Sequence, residues 1–184
     1  MPPLARRLGL SLIALLLTVA IVEADVPRLR VGDRLPDVAG ETLNGHEVTL
    51  PASAAGTPAL LLMGFTYDAR TPVEQWSAWC RKTLGAGVAC YEMPMLGGMA
   101  KLASPFIKSG MRKSTPEALR DHVITVTSKT GDWKDRVGHT DATDDDAFLI
   151  LIDRGGIVRW VAHGDVSPER TAALQRELAA LAAR

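Results

Sequence analysis

Sulfur is scarce in this chain: of 184 residues only two are cysteine, Cys80 and Cys90, and no paired-thiol motif occurs. A net charge is lacking as well, because 21 basic side chains are matched by 21 acidic ones. That balance gives no support to nucleic-acid binding, which needs a basic face or stripe. Also missing are a nucleophile elbow, a Gly-rich phosphate loop, internal repeats and long linkers. Gly97-Gly98 is a flexible joint without the phosphate-binding pattern, and His46, His122, His139 and His163 lack zinc-site spacing.

The first residues carry an export pattern. Arg6 and Arg7 precede fifteen uncharged residues, Leu8 to Val22, and Val22-Glu23-Ala24 is a small-residue cleavage pattern. Residues 1–24 are therefore expected to be a signal peptide, with Asp25 the new N-terminus and residues 25–184 the mature domain. A retained membrane anchor is the alternative, disfavoured because about 20 apolar residues are needed to cross a bilayer. The expected location is periplasmic or secreted, with transient membrane contact only through residues 1–24. No Cys follows the apolar run, which argues against a lipoprotein. Cleavage removes Arg6, Arg7 and Glu23, leaving 19 basic and 20 acidic side chains. A mature chain of about 160 residues is one domain of common size, able to bury most of its apolar surface.

Along the mature chain, Asp25 to Leu43 is polar and proline-punctuated and reads as an extended lead-in. His46 to Leu50 is a short edge strand. Pro58 to Thr66 is almost continuously apolar, as expected of a central strand covered on both faces. Thr71, Pro72 and Glu74 spell an N-cap, a first-turn proline and a capping box. Val73, Trp76, Cys80 and Leu84 then recur at helical spacing, and Gly85 and Gly87 end the helix. Gly87 to Met95 returns as a strand, making a right-handed parallel crossover. Pro105 and Gly110 are expected to break Met99 to Arg120 into short helical pieces, before a strand at Val123 to Thr127 and a short helix at Asp132 to Val137. Phe148 to Ile152 and Ile157 to Ala162 form a hairpin around Asp153-Arg154-Gly155-Gly156. Ser167-Pro168 caps a terminal helix whose Leu174, Leu178 and Leu181 face the sheet.

This order, and the stretches VGDRLPDVAGETLNGHEVTL, LLLMGFTYDARTPVEQW and AFLILIDRGGIVRW, resemble the thioredoxin-like superfamily in its peroxiredoxin and thiol-disulfide oxidoreductase branch. The resemblance runs from about Val31 to Leu181. It implies an α/β fold, a central mixed sheet flanked by helices, with thiols in the loop after the central strand. Here that loop, Asp68 to Pro72, contains none, and the branch's cis-proline position falls near Asp146 or Ala147. Thiol exchange needs an accessible thiolate, so the redox activity is not carried over. Glu92 to Leu96, Pro105-Phe106-Ile107, Ser109-Gly110-Met111-Arg112, Leu151-Ile152-Asp153 and Val158-Arg159-Trp160 resemble the mitochondrial ATP synthase assembly-factor family and its bacterial relatives. That resemblance implies a chaperone role toward a membrane-complex subunit.

Cys80 and Cys90 admit three readings: buried thiols, a structural disulfide or a redox pair. The first is favoured because a helix stacked on a sheet keeps facing Cα atoms near or beyond about 7 Å. Met93, Met95, Met99 and Met111 offer soft ligands for Cu(I), against their ordinary use as core filling. Asp141, Asp144, Asp145 and Asp146 form an acidic loop without EF-hand spacing. Tyr67, Asp68 and Arg70 should project from the carboxyl end of the central strand, where open sheets bind ligands, with Asp145 and Asp146 close by. Arg70 pairing with a neighbouring Asp is the competing reading. The leading expectation is an exported, non-redox thioredoxin-like protein that binds another protein at this corner, without cofactor or metal. A redox protein using Cys80 and Cys90, or a Met-based Cu(I) carrier, are its rivals.

Overall fold

The structure, a computed structural model, describes residues 26–183. The expected signal peptide, residues 1–24, and its boundary at Asp25 lie outside the described residues. Two strand ladders organise the chain. One joins β1 (Val38–Thr42), β2 (Glu47–Leu50) and β5 (Ile124–Thr125) in the order β2-β1-β5. The other joins β3 (Ala59–Gly64), β4 (Ala89–Pro94), β6 (Phe148–Ile152) and β7 (Val158–His163) in the order β4-β3-β6-β7. Parallel bridges from Glu92 to Val123 and from Met95 to Val126 connect them. The expected mixed sheet is present: β3 runs parallel to β4 and antiparallel to β6.

Every residue of β3 is buried, which is why its run is apolar on both faces of the pleat. On one face α1 (Arg70–Thr83) and α5 (Pro168–Ala182) cover Leu60, Leu62, Leu149 and Leu151 with Val73, Trp76, Cys80 and Leu174. Leu178 and Leu181 pack at its margin. On the other face Leu61, Met63 and Ile150 meet Leu35, Val38 and Leu50, together with Trp133 of α4 (Thr130–Val137). At about 25 cal/mol per Å² of apolar surface, each fully buried Leu contributes roughly 2 kcal/mol of transfer free energy. Ser167 Oγ caps α5 by accepting from Arg170 N–H at 3.2 Å.

Three local expectations need correction. The capping box does not form. Turn hydrogen bonds from Arg70 N to Tyr67 O and from Thr71 N to Asp68 O start the winding early, so α1 begins at Arg70. Glu74 then bonds Arg70 at 2.6 Å rather than reaching back to Thr71. The segment does part into two helices just ahead of Pro105, as expected, but Gly110 breaks nothing. After α2 (Gly98–Leu102), α3 runs from Ser104–Ser114 with Pro105 in the first turn, where a missing N–H costs nothing. Thirdly, the extended lead-in contains β1 itself, paired antiparallel with β2.

Candidate functional site

The carboxyl end of β3 is the place to build from. Gly64 ends the strand under the first turn of α1: a Cβ there would sit 3.2 Å from Ala69 Cβ and 3.3 Å from Val73 Cγ2. A side chain at this position would crowd the first turn of the helix, which glycine avoids. Thr66 organises the loop that follows. Its hydroxyl accepts from Ala69 N–H at 3.1 Å and donates to Asp145 Oδ1 at 2.8 Å. One side chain thus fixes the turn into α1 and joins it to the acidic loop before β6, across 79 positions of sequence.

Of the expected site residues, Tyr67 is 80 % exposed, and Asp68 and Arg70 are exposed beside it. Asp145 is brought to the loop through Thr66, while Asp146 turns to His163, with Oδ2 at 2.6 Å from Nδ1. Arg70 pairs with Glu74, not with an Asp, and that carboxylate raises the guanidinium above its ordinary pKa. With both partners about half exposed, the pair contributes a few tenths of a kcal/mol.

The scattered histidines are not all surface residues. His139 and His163 stack on Phe148, at centroid distances of 5.7 and 5.6 Å, and Phe65 meets His139 edge-on at 5.2 Å. Asp144 holds His139 Nε2 at 2.7 Å, and Lys134 approaches the same carboxylate at 3.5 Å. Part of the acidic loop is therefore neutralised from below, and it is not simply solvated. Thr66, His139, Phe148 and His163 carry no sequence signal for this grouping, because no two share a spacing that local geometry would pair.

The sulfurs lie at the other end. Leu60, near the start of β3, pairs with Cys90, and four residues of strand, about 13 Å, separate it from Gly64. Cys80 and Cys90 form a disulfide with their Cα atoms 6.6 Å apart, which corrects the expectation of two buried thiols. The connection between α1 and β4 is only Leu84 to Val88, and it draws the helix end onto the edge strand. Cys80 is buried and Cys90 half-buried. The bond borders a groove of about 420 Å³ whose wall includes Ser77, Arg81, Glu92 and His122. Arg81 donates to Ser77 Oγ at 2.6 Å and lies 3.6 Å from Glu92, and His122 Nδ1 is 3.3 Å from Cys90 O.

The four methionines do not gather. Met93 and Met95 are inside the apolar core, Met111 is half-buried and Met99 is 80 % exposed, so they present no shared accessible face for Cu(I). No group of three or more His, Cys, Asp or Glu side chains is arranged to hold a metal among the described residues.

No protein-family model matches the chain, and no curated protein matches it. Solved structures do. A Chlorobium tepidum protein assigned as thiol:disulfide interchange protein DsbE is 19 % identical with a TM-score of 0.56, covering 83 % of this chain and 98 % of its own. The thiol peroxidase from Chromobacterium violaceum is 16 % identical with a TM-score of 0.52, over 82 % and 87 %. The pneumococcal exposed lipoprotein thioredoxin Etrx1, from Streptococcus pneumoniae, is 14 % identical with a TM-score of 0.52, over 77 % and 98 %. At such identities the likeness speaks for architecture and not for activity. Together with the parallel β3–α1–β4 unit, the β6–β7 hairpin and the flanking helices, it establishes that this chain has the thioredoxin-like fold.

Proposed function

We propose that the protein is an exported, non-redox member of this fold that binds another protein at the carboxyl end of β3, as an assembly or holding factor in the cell envelope. The observation that carries the reading is Tyr67, 80 % exposed on a loop with no sulfur, which Thr66 ties to Asp145 as one continuous surface. An exposed tyrosine on a braced loop loses little conformational entropy on binding, which suits it to be an anchor in an interface. Arg70 and Asp68 supply charge of both signs at its rim.

The test is crosslinking in the intact envelope, with mass spectrometry of the captured species, on the parent protein and on Tyr67→Ala and Arg70→Ala. Capture of a defined partner that both substitutions weaken is the expected result. Equal capture by all three proteins would remove the corner from consideration.

A second reading has its own observation: the Cys80–Cys90 bond borders a groove, and Cys90 is half-buried, not sealed. On that reading the protein exchanges disulfides with a thiol substrate entering beside His122 and Arg81. Insulin reduction separates the two. The binding reading expects none, whereas turnover that disappears in Cys80→Ser would transfer the function to the sulfurs.

A further inference from the structure

Between Glu92 and Glu117 the chain holds no acidic residue and four cations, Lys101, Lys108, Arg112 and Lys113, although it is neutral overall. Folded, this stretch is largely the α2–α3 segment, and neither helix contains a buried residue. The inner side of α3 is moored to the domain: Lys108 Nζ donates to Glu41 at 2.7 Å, and Ile107 and Met111 are half-buried. The outer side is apolar and uncovered. Met99, Leu102 and Phe106 are 80, 76 and 85 % exposed, half of the large hydrophobic side chains that stand out among the described residues. Met99 and Leu102, three apart, share a face of α2, and Phe106 and Lys113, seven apart, share a face of α3.

Bare apolar side chains interleaved with cations, with no anion among them, match a helix lying in the plane of a membrane interface. There the apolar groups enter the headgroup boundary and Lys or Arg meets lipid phosphate. We infer that α2–α3 docks this domain peripherally on an anionic lipid surface, through Met99, Leu102 and Phe106, with Lys101, Arg112 and Lys113 selecting for negative headgroups. A second copy of the chain fits less well. An isologous contact would set this basic face against itself, and like charges would repel. No helix among the described residues is long and apolar enough to cross a membrane, so the contact is with the surface. This inference is independent of the partner reading at Tyr67, and it places a membrane contact outside residues 1–24.

Both apolar cores are built from residues within 26–183, so a chain beginning at Asp25, checked first for a cooperative thermal melt, suits a vesicle assay free of the N-terminal apolar run. Co-sedimentation is measured with phosphatidylcholine vesicles, alone or containing phosphatidylglycerol, at low and high salt. The expected result is binding roughly tenfold stronger to the anionic vesicles, reduced by salt. Leu102→Ser with Phe106→Ser should lower that binding about tenfold without moving the thermal melt, since both side chains are already in solvent. Lys101→Glu with Lys113→Glu should erase the lipid preference. Absent binding, equal binding to both lipids, or an unaffected Leu102/Phe106 double variant would overturn the inference. So would a lipid-free dimer that Phe106→Ser abolishes, because these side chains would then belong to a second copy.

Discussion

The two ends of β3 are built from opposite materials. At its amino end the structure is stapled: Cys80 is bonded to Cys90 on one side of β3, and on the other side Asp153 gathers the hairpin turn that follows β6. That carboxylate accepts from Gly155 N–H at 2.8 Å, Ile157 N–H at 3.0 Å and Arg159 Nε at 2.8 Å. Gly156, at φ +78°, closes the turn in a conformation that favours glycine, and a Cβ there would meet Pro51 at 2.7 Å. At its carboxyl end nothing is covalent. A hydroxyl, two His–Asp pairs and an aromatic stack hold the loops, and Tyr67 stands out into solvent. The difference teaches that one strand can be fixed by a covalent crosslink at one end and by side-chain hydrogen bonds alone at the other. Here the crosslink sits where the chain must be held, and the exposed groups sit where open sheets present ligand sites.

The comparison can be broken most directly at the sulfurs. Cys80→Ser with Cys90→Ser releases a crosslink across ten positions and should cost ~3 kcal/mol, a melting decrease of ~5–10 °C by calorimetry. Reductant should lower the parent protein by the same amount and leave the double variant where it is. Partner capture through Tyr67 should survive at temperatures below the melt. Loss of capture on reduction would mean that the two ends are not separable.

Asp153→Ala should cost ~2 kcal/mol, since it strands two turn N–H groups and the Arg159 guanidinium. The pH dependence of this site has a definite sign. Burial would raise the Asp153 carboxyl, but the N–H of Ile157, Arg159 and the N–H of Gly155 together hold it below its ordinary value. Its contribution is therefore complete above the ordinary Asp value of about 3.9 and is lost as pH falls through the lower folded value. Urea titrations of the parent and Asp153→Asn should converge in that acid window, and parallel curves there would contradict the account.

At the carboxyl end the effects shrink. Thr66→Val keeps the shape and removes the link to Asp145 and the acceptor for Ala69 N–H, at ~1 kcal/mol. Hydrogen exchange should quicken in the loop following β3 and in that preceding β6, and not at the disulfide. Tyr67→Ala should change stability by less than about 0.5 kcal/mol, as expected for an exposed side chain, while weakening capture. A large stability loss from Tyr67→Ala would make the residue structural and sharpen the comparison in the other direction.

Sequence by itself was enough for whatever rests on short-range pattern. The doubly covered β3, the Asp153 to Gly156 hairpin, the Ser167 cap and the buried Val73, Trp76, Cys80 stripe are all written in neighbouring residues whose periodicity or turn chemistry admits one local structure. The position of Tyr67 at the strand tip follows from those same elements. Tertiary structure alone decided the rest, because the outcome depended on distances between elements. Whether Cys80 reaches Cys90 turns on how closely the end of α1 settles on β4. The short Leu84 to Val88 connection brings it to 6.6 Å, inside the range in which a disulfide closes. The start of α1 follows the local turn bonds and Thr66 rather than the Thr71 and Glu74 spacing, and what tertiary structure adds is the link from Thr66 to Asp145, 79 positions away. His139, Phe148 and His163 meet only because two loops converge over the end of one sheet, and no single segment of the chain contains that information.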